Sequence, residues 1–134
     1  MPHMIIEYSA NLDSDLNLSE LINTMHETTA AIDAFPLAGL RTRAARREFY
    51  RIADGHPDNS FIHATLKIGH GRPLALREQA GQKIFSSLVD YLTPLSEKRP
   101  LAISFEIQQL DPVTSFKTGN IRDHMARRQQ QTQQ

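Results

Sequence analysis

One strand–helix–strand order is written twice along this chain of 134 residues. Residues 3–9 (HMIIEYS) are short, apolar and rich in β-formers, the pattern of a strand. A polar, acidic loop over 11–17 leads into a helix with Leu18, Leu21, Ile22, Met25 and Ile32 on one face. Asn17 or Ser19 is its candidate cap, and Glu20 lies in the first turn, where a carboxylate favours the helix dipole. Pro36 ends that run, and residues 39–51 read as a second strand, extended and unusually basic. After a turn at 54–58 the pattern restarts with a strand over 61–68. A Gly-rich connection with Pro73 opens a longer helix, about 74–97, whose stripe is Ala80, Ile84, Leu88, Tyr91, Leu92 and Leu95. Pro94 lacks a backbone donor and should bend that helix or end it early. Leu101, Ile103, Phe105 and Ile107 then alternate with smaller or polar residues, the clearest strand signal in the chain.

A crossover helix between two strands implies parallel pairing within each unit. Two units side by side give an α+β fold made of α/β-type pieces. It is a tandem β-α-β repeat with a four-stranded sheet and both helices on one face. The strand at 61–68 carries apolar residues on both parities, so the open face is expected to find a partner in an oligomer. The domain covers 1–120, with halves at about 1–58 and 59–112, and the Gln-rich segment 121–134 reads as a disordered tail.

Composition narrows the function. Lys plus Arg and Asp plus Glu are both 15, so no global field points to nucleic acid or an anionic membrane. The chain has no cysteine, which removes disulfides, thiolate metal sites and a Cys nucleophile. The histidines show no metal-binding spacing, and no apolar run approaches the roughly 18 residues of a membrane span. The expectation is a soluble, cytoplasmic protein without metal or cofactor.

Chemistry centres on Pro2 and the arginines. The small, rigid residue after Met1 suits methionine removal, which would leave Pro2 with a free secondary amine. An α-amino group titrates near about pH 7.7–8.0, and burial or nearby cations favour its neutral form, the form a general base needs. Arg41 and Arg43, two apart on a strand, share a face, and Arg72 stands at the Gly-rich turn into the second helix. Guanidinium groups bind carboxylates bidentately, so these three suit an anionic pocket; a solvated basic edge strand accounts for Arg41 and Arg43 equally well. Arg46, Arg47 and Arg51 fit surface or subunit contacts better. His3, beside Pro2, reads as a packing or hydrogen-bonding residue, and Glu7 and Glu106 as outward-facing strand residues.

Pro2, the stretch Pro36-Leu37-Ala38-Gly39-Leu40-Arg41, Ala53-Asp54-Gly55, Leu66-Lys67-Ile68-Gly69, Gly71-Arg72 and the strand Leu101 to Ile107 together resemble the 5-carboxymethyl-2-hydroxymuconate isomerase family of the tautomerase superfamily. The similarity runs from Met1 to about Asn120. It implies a homotrimer of tautomerase/MIF-like subunits whose sheets form a central barrel. It also implies cofactor-free isomerisation of an unsaturated 2-hydroxy di- or tricarboxylate in aromatic catabolism, in the homoprotocatechuate branch. Pro2 matches the family's catalytic proline, Arg41 and Arg72 its substrate-carboxylate arginines, and Arg43 is their neighbour. The segment 44–50 departs from the family with extra arginines, which bears on substrate preference.

Three alternatives remain at this stage. One is a superfamily decarboxylase or dehalogenase using the same proline. Another is a non-catalytic tautomerase-fold binding protein. The third treats Arg41 to Arg51 as a nucleic-acid stripe, and limited aromatic interleaving with zero net charge ranks it last.

Overall fold

The structure, a computed structural model, describes residues 2–133; Met1 and Gln134 lie outside the described residues. Strands β1 (His3–Ser9), β2 (Arg41–Arg47), β3 (Ser60–Ile68) and β4 (Leu101–Gln109) form one sheet in the order β2-β1-β3-β4. Helix α1 (Leu18–Ala30) joins β1 to β2, and α2 (Leu74–Ser96) joins β3 to β4. Both pairs are parallel, as a helical crossover requires, and the two halves meet through the antiparallel pair β1–β3.

Side-chain alternation decides which face the helices cover. Met4, Ile6 and Tyr8 of β1 and Ile62, Ala64, Leu66 and Ile68 of β3 are buried on one side. Leu21 and Met25 of α1 and Ala80, Ile84, Leu88, Leu92 and Leu95 of α2 close over them. Each fully buried Leu, Ile or Met contributes about 1.5–3 kcal/mol, so this layer is what fixes the register of all four strands. Asn17 is the cap of α1, its side chain accepting from the Glu20 backbone N–H at 3.1 Å. Pro94 sits inside α2, which ends two residues later at Ser96; the missing donor is tolerated because the helix is already finishing.

Three expectations change. β2 stops at Arg47, and Arg46 points to the opposite side from Arg41, Arg43 and Arg47. Its guanidinium pairs with Asp13 and Glu48, Arg47 pairs with Glu7, and Arg51 donates to the Asp54 carbonyl, so the basic segment is divided between faces and largely neutralised. The open face is also more polar than the sequence suggests. Phe61 is its one large apolar residue on β3; His63, Thr65 and Lys67 follow, beside Glu7 of β1 and Ser104, Glu106 and Gln108 of β4. Finally, the segment expected as a disordered tail forms a helix, α3 (Ile121–Gln133). It lacks an apolar stripe, but Ala, Met, Arg and Gln are good helix formers, and half-buried His124 and Met125 lie where it packs on the 3-10 turn Leu37–Gly39. Among the described residues no helix is long and apolar enough to cross a membrane.

Candidate active site

Strand directions bring the candidate residues to one end of the sheet. β1 and β2 begin there and β3 and β4 finish there, because β1 runs antiparallel to β3. The backbone N–H of Arg41 donates to the Pro2 carbonyl at 3.2 Å, and Pro2 is buried. One register step in, His3 lies opposite Arg41 on β2 and Lys67 on β3. The chain's second residue is therefore fixed between two strands, with a cationic row beside it.

His3 links the two strand arginines. Arg41 Nη1 stands 3.1 Å from His3 Nε2, and Arg43 Nη1 stands 3.2 Å from Nδ1. A neutral imidazole accepts at one nitrogen only and guanidinium only donates, so a single tautomer satisfies one of these contacts and opposes the other. Each guanidinium is a planar fork of five donors, a shape that matches a carboxylate. Burial, followed by the charges of Arg41 and Arg43, holds the His3 pKa below its ordinary 6.5. A histidine whose folded pKa is lowered costs nothing above the unfolded value and destabilises the fold as pH drops beneath it. We therefore expect the Tm to fall between pH 7 and pH 5 more steeply in the native chain than in His3→Gln. Parallel profiles for the two proteins would remove this role.

A cleft of about 500 Å³ opens at this end, lined among others by His3, Arg41, His70, Asp111, Phe116 and Lys117. Asp111 brings one negative charge to it. Its Oδ1 accepts from the backbone N–H of Val113 at 2.8 Å and Thr114 at 3.0 Å, and those bonds hold its carboxyl below the usual range. A second cleft, about 650 Å³, runs toward α3 past Pro36, Gly39, Asn120 and Arg122. Arg41, Lys117 and Thr118 line both.

Arg72 is placed differently from the other three candidates. Its Nη2 donates to the Ala34 carbonyl at 2.7 Å and its Nη1 to the Gly69 carbonyl at 3.3 Å, and its guanidinium lies 5.4 Å from the Phe35 ring centroid. It lines neither cleft at Arg41 and ties the loop after β3 to the loop before β2. Gly71 makes that loop possible, since its φ of 111° lies where side-chain-bearing residues are strained. So Pro2, Arg41 and Arg43 are neighbours along the β1–β2 pairing, Arg41 alone of the three lines the clefts, and Arg72 belongs to the loop between β3 and α2. Among the described residues no group of three or more His, Asp or Glu side chains is placed to hold a metal ion.

This geometry can be compared with known proteins. The family described as 5-carboxymethyl-2-hydroxymuconate isomerase matches residues 2–125, nearly the whole chain and the whole site. The chain belongs to that family. A curated relative from Escherichia coli, 5-carboxymethyl-2-hydroxymuconate Delta-isomerase, is 42% identical over 121 residues, covering 90% of this chain and 96% of its own. A crystal structure of a 5-carboxymethyl-2-hydroxymuconate isomerase from Deinococcus radiodurans R1 superposes with a TM-score of 0.86 at 32% identity, covering 92% of this chain and 93% of that one. A fused 4-OT described as a wild-type symmetric trimer shares the fold alone, with a TM-score of 0.61 at 13% identity over 88% of this chain and 92% of that one. The chain thus has the tautomerase fold and is a member of an isomerase family.

Sequence reasoning missed the segment after β4. Residues 110–118 supply seven of the eleven residues lining the first cleft, yet they follow no helical or strand period that would have singled them out. The hydrogen-bonding role expected of His3 holds, and its two arginine partners, 38 and 40 residues away in sequence, are what local sequence does not name.

Proposed function

We propose that this member of the isomerase family converts an unsaturated 2-hydroxy di- or tricarboxylate, of the 5-carboxymethyl-2-hydroxymuconate kind, to its oxo isomer, with Pro2 as the proton carrier. The observation that carries the reading is the strand pairing that ties the Pro2 carbonyl to the backbone of Arg41, a residue that lines a cleft together with His3 and Lys117. The neutral Pro2 nitrogen takes the proton of the dienol hydroxyl. The C–O bond becomes a carbonyl, the double bonds shift along the chain, and the prolinium returns its proton to a carbon further along. No atom is gained or lost. Arg41, with Arg43 beside it, holds a substrate carboxylate and stabilises the charge that builds on the conjugated system. Arg72 serves this site by fixing the loop through Ala34, Phe35 and Gly69.

The assembly we infer is a homotrimer whose sheets close a central barrel. The uncovered face of the sheet and its two edge strands, β2 and β4, support it, because unpaired strand edges favour pairing with another copy. Light scattering that returned the mass of one chain would remove this part.

The test is direct. A 2-hydroxymuconate-type dienol is added to purified protein and its ultraviolet absorbance followed. Loss of the dienol well above the buffer rate, with the oxo isomer formed, is the expected result. Turnover of halo-acrylates or β-keto acids in place of dienols would overturn the isomerase assignment in favour of a superfamily dehalogenase or decarboxylase.

A further inference from the structure

We infer that Lys117, on the arm between β4 and α3, is the residue that sets preference for a tricarboxylate over a dicarboxylate substrate. This rests on the function proposed above and names a part of the site which that reading leaves unassigned. A 5-carboxymethyl-2-hydroxymuconate differs from 2-hydroxymuconate by one more carboxylate, carried on a one-carbon branch. A protein that distinguishes them needs a cation set apart from the one holding the conjugated chain.

Position singles out Lys117. The two clefts at this end of the sheet meet at a short wall made by Arg41, Lys117 and Thr118. Arg41 is held from the sheet side by its register opposite His3, and Lys117 approaches from the arm. A molecule with one carboxylate at Arg41 and another on a branch therefore meets Lys117 whichever cleft receives the branch. The carboxylates nearest in these clefts are differently engaged. Asp111 accepts from two backbone N–H groups of its own turn through Oδ1, Asp123 lies in the first turn of α3, beside the dipole end that favours it, and neither forms an ion pair with Lys117 among the described residues. Lys117 itself makes no ion pair or hydrogen bond among the described residues, so its ammonium is available to a ligand. Phe116 beside it is 89% exposed, so the arm presents this stretch to the cleft and to solvent and does not bury it in the core. Arg122 is the other cation near the arm, but it lines the second cleft only.

The experiment measures binding as well as turnover, so that it survives failure of the isomerase reading. Affinities of propane-1,2,3-tricarboxylate and of glutarate are measured by calorimetry for the native chain, Lys117→Gln, Lys117→Arg and Arg122→Gln. In parallel, KM is measured for 5-carboxymethyl-2-hydroxymuconate and 2-hydroxymuconate. The native chain is expected to prefer the tricarboxylate. Lys117→Gln is expected to cut that preference about tenfold, the size of one partly exposed charged hydrogen bond. Lys117→Arg is expected to keep most of it. A native chain without preference overturns the assignment, and so does a ratio unmoved by Lys117→Gln, whether both affinities fall together or neither falls. A ratio lost in Arg122→Gln in its place does the same. If the native chain turns over neither dienol, the proposed reaction fails while the calorimetric ratio still decides for or against Lys117.

Discussion

Protein that keeps Met1 is expected to convert the dienol about 10²–10⁴-fold more slowly than protein from which Met1 has been removed, the range that one positioned acid–base group contributes. The reason is electronic. Acylation turns the Pro2 nitrogen into a tertiary amide whose lone pair is delocalised into the carbonyl, and such a nitrogen takes up no proton near neutral pH. In the processed chain the same nitrogen would be a secondary amine on a buried residue bonded through its carbonyl to the Arg41 backbone, and burial in general favours the neutral form of an amine. The comparison needs two preparations of one sequence. One is released by a protease so that Pro2 is first, and the other retains Met1, each checked by intact mass. Pro2→Ala, processed in the same way, offers a primary amine without the ring and should fall between them in kcat. Equal kcat in the two preparations, or native kcat in Pro2→Ala, would remove Pro2 from the mechanism.

Arg41→Ala is expected to lower kcat/KM about 10- to 100-fold, corresponding to the ~1.5–3 kcal/mol of a hydrogen bond to a charged group. The loss should appear partly in KM, through the carboxylate, and partly in kcat, through charge that forms only during the reaction. Arg41→Lys should restore little, because an ammonium cannot offer the paired donors of a guanidinium. Arg72→Met should behave differently. It removes bonds to the Ala34 and Gly69 carbonyls and a cation–π contact with Phe35, so its first effect is on Tm, with KM following only as the loop loosens. A large KM change in Arg72→Met at unchanged Tm would return Arg72 to direct contact with the substrate. Native kinetics in Arg41→Ala would remove the anchor itself.

These residues also show what could be read in advance. β1 was legible because residues 3–9 are a short apolar stretch rich in β-formers; which side faces the core was not, since Met4, Ile5 and Ile6 are apolar in a row. The parallel pairs followed from chain order alone, since a helix of 13 or 23 residues between strands leaves little else. Pro2, Arg41 and Arg43 could be named, but their meeting depends on the β1–β2 register, which is set by buried packing many residues away. Arg72 shows the limit most clearly. Its neighbours in sequence are glycines and a proline, which say nothing of the Ala34 carbonyl 38 residues back that its guanidinium reaches. The helix over 121–133 was missed because its signal is composition and docking, where periodicity was sought.

The antiparallel seam between β1 and β3 relates the two halves of the chain by an approximate dyad through the middle of the sheet. Each half therefore has its own start-of-strand corner, and the two corners lie at opposite ends. At the second, Ser60 takes the place of His3 and Leu101 the place of Arg41, but the bond that closes it runs the other way, from the Ser60 N–H to the Pro100 carbonyl, whereas at the first the Arg41 N–H donates to the Pro2 carbonyl. Arg99 seals this corner by donating to the Asn11 and Asp58 carbonyls and to Asp15. A circular permutant opened just before Asn59, the residue in the place of Pro2, would thus carry a free amine at a corner with a leucine for an anchor. A repeated unit supplies two comparable corners; under the proposed function only the one at Pro2 carries both a base and an arginine.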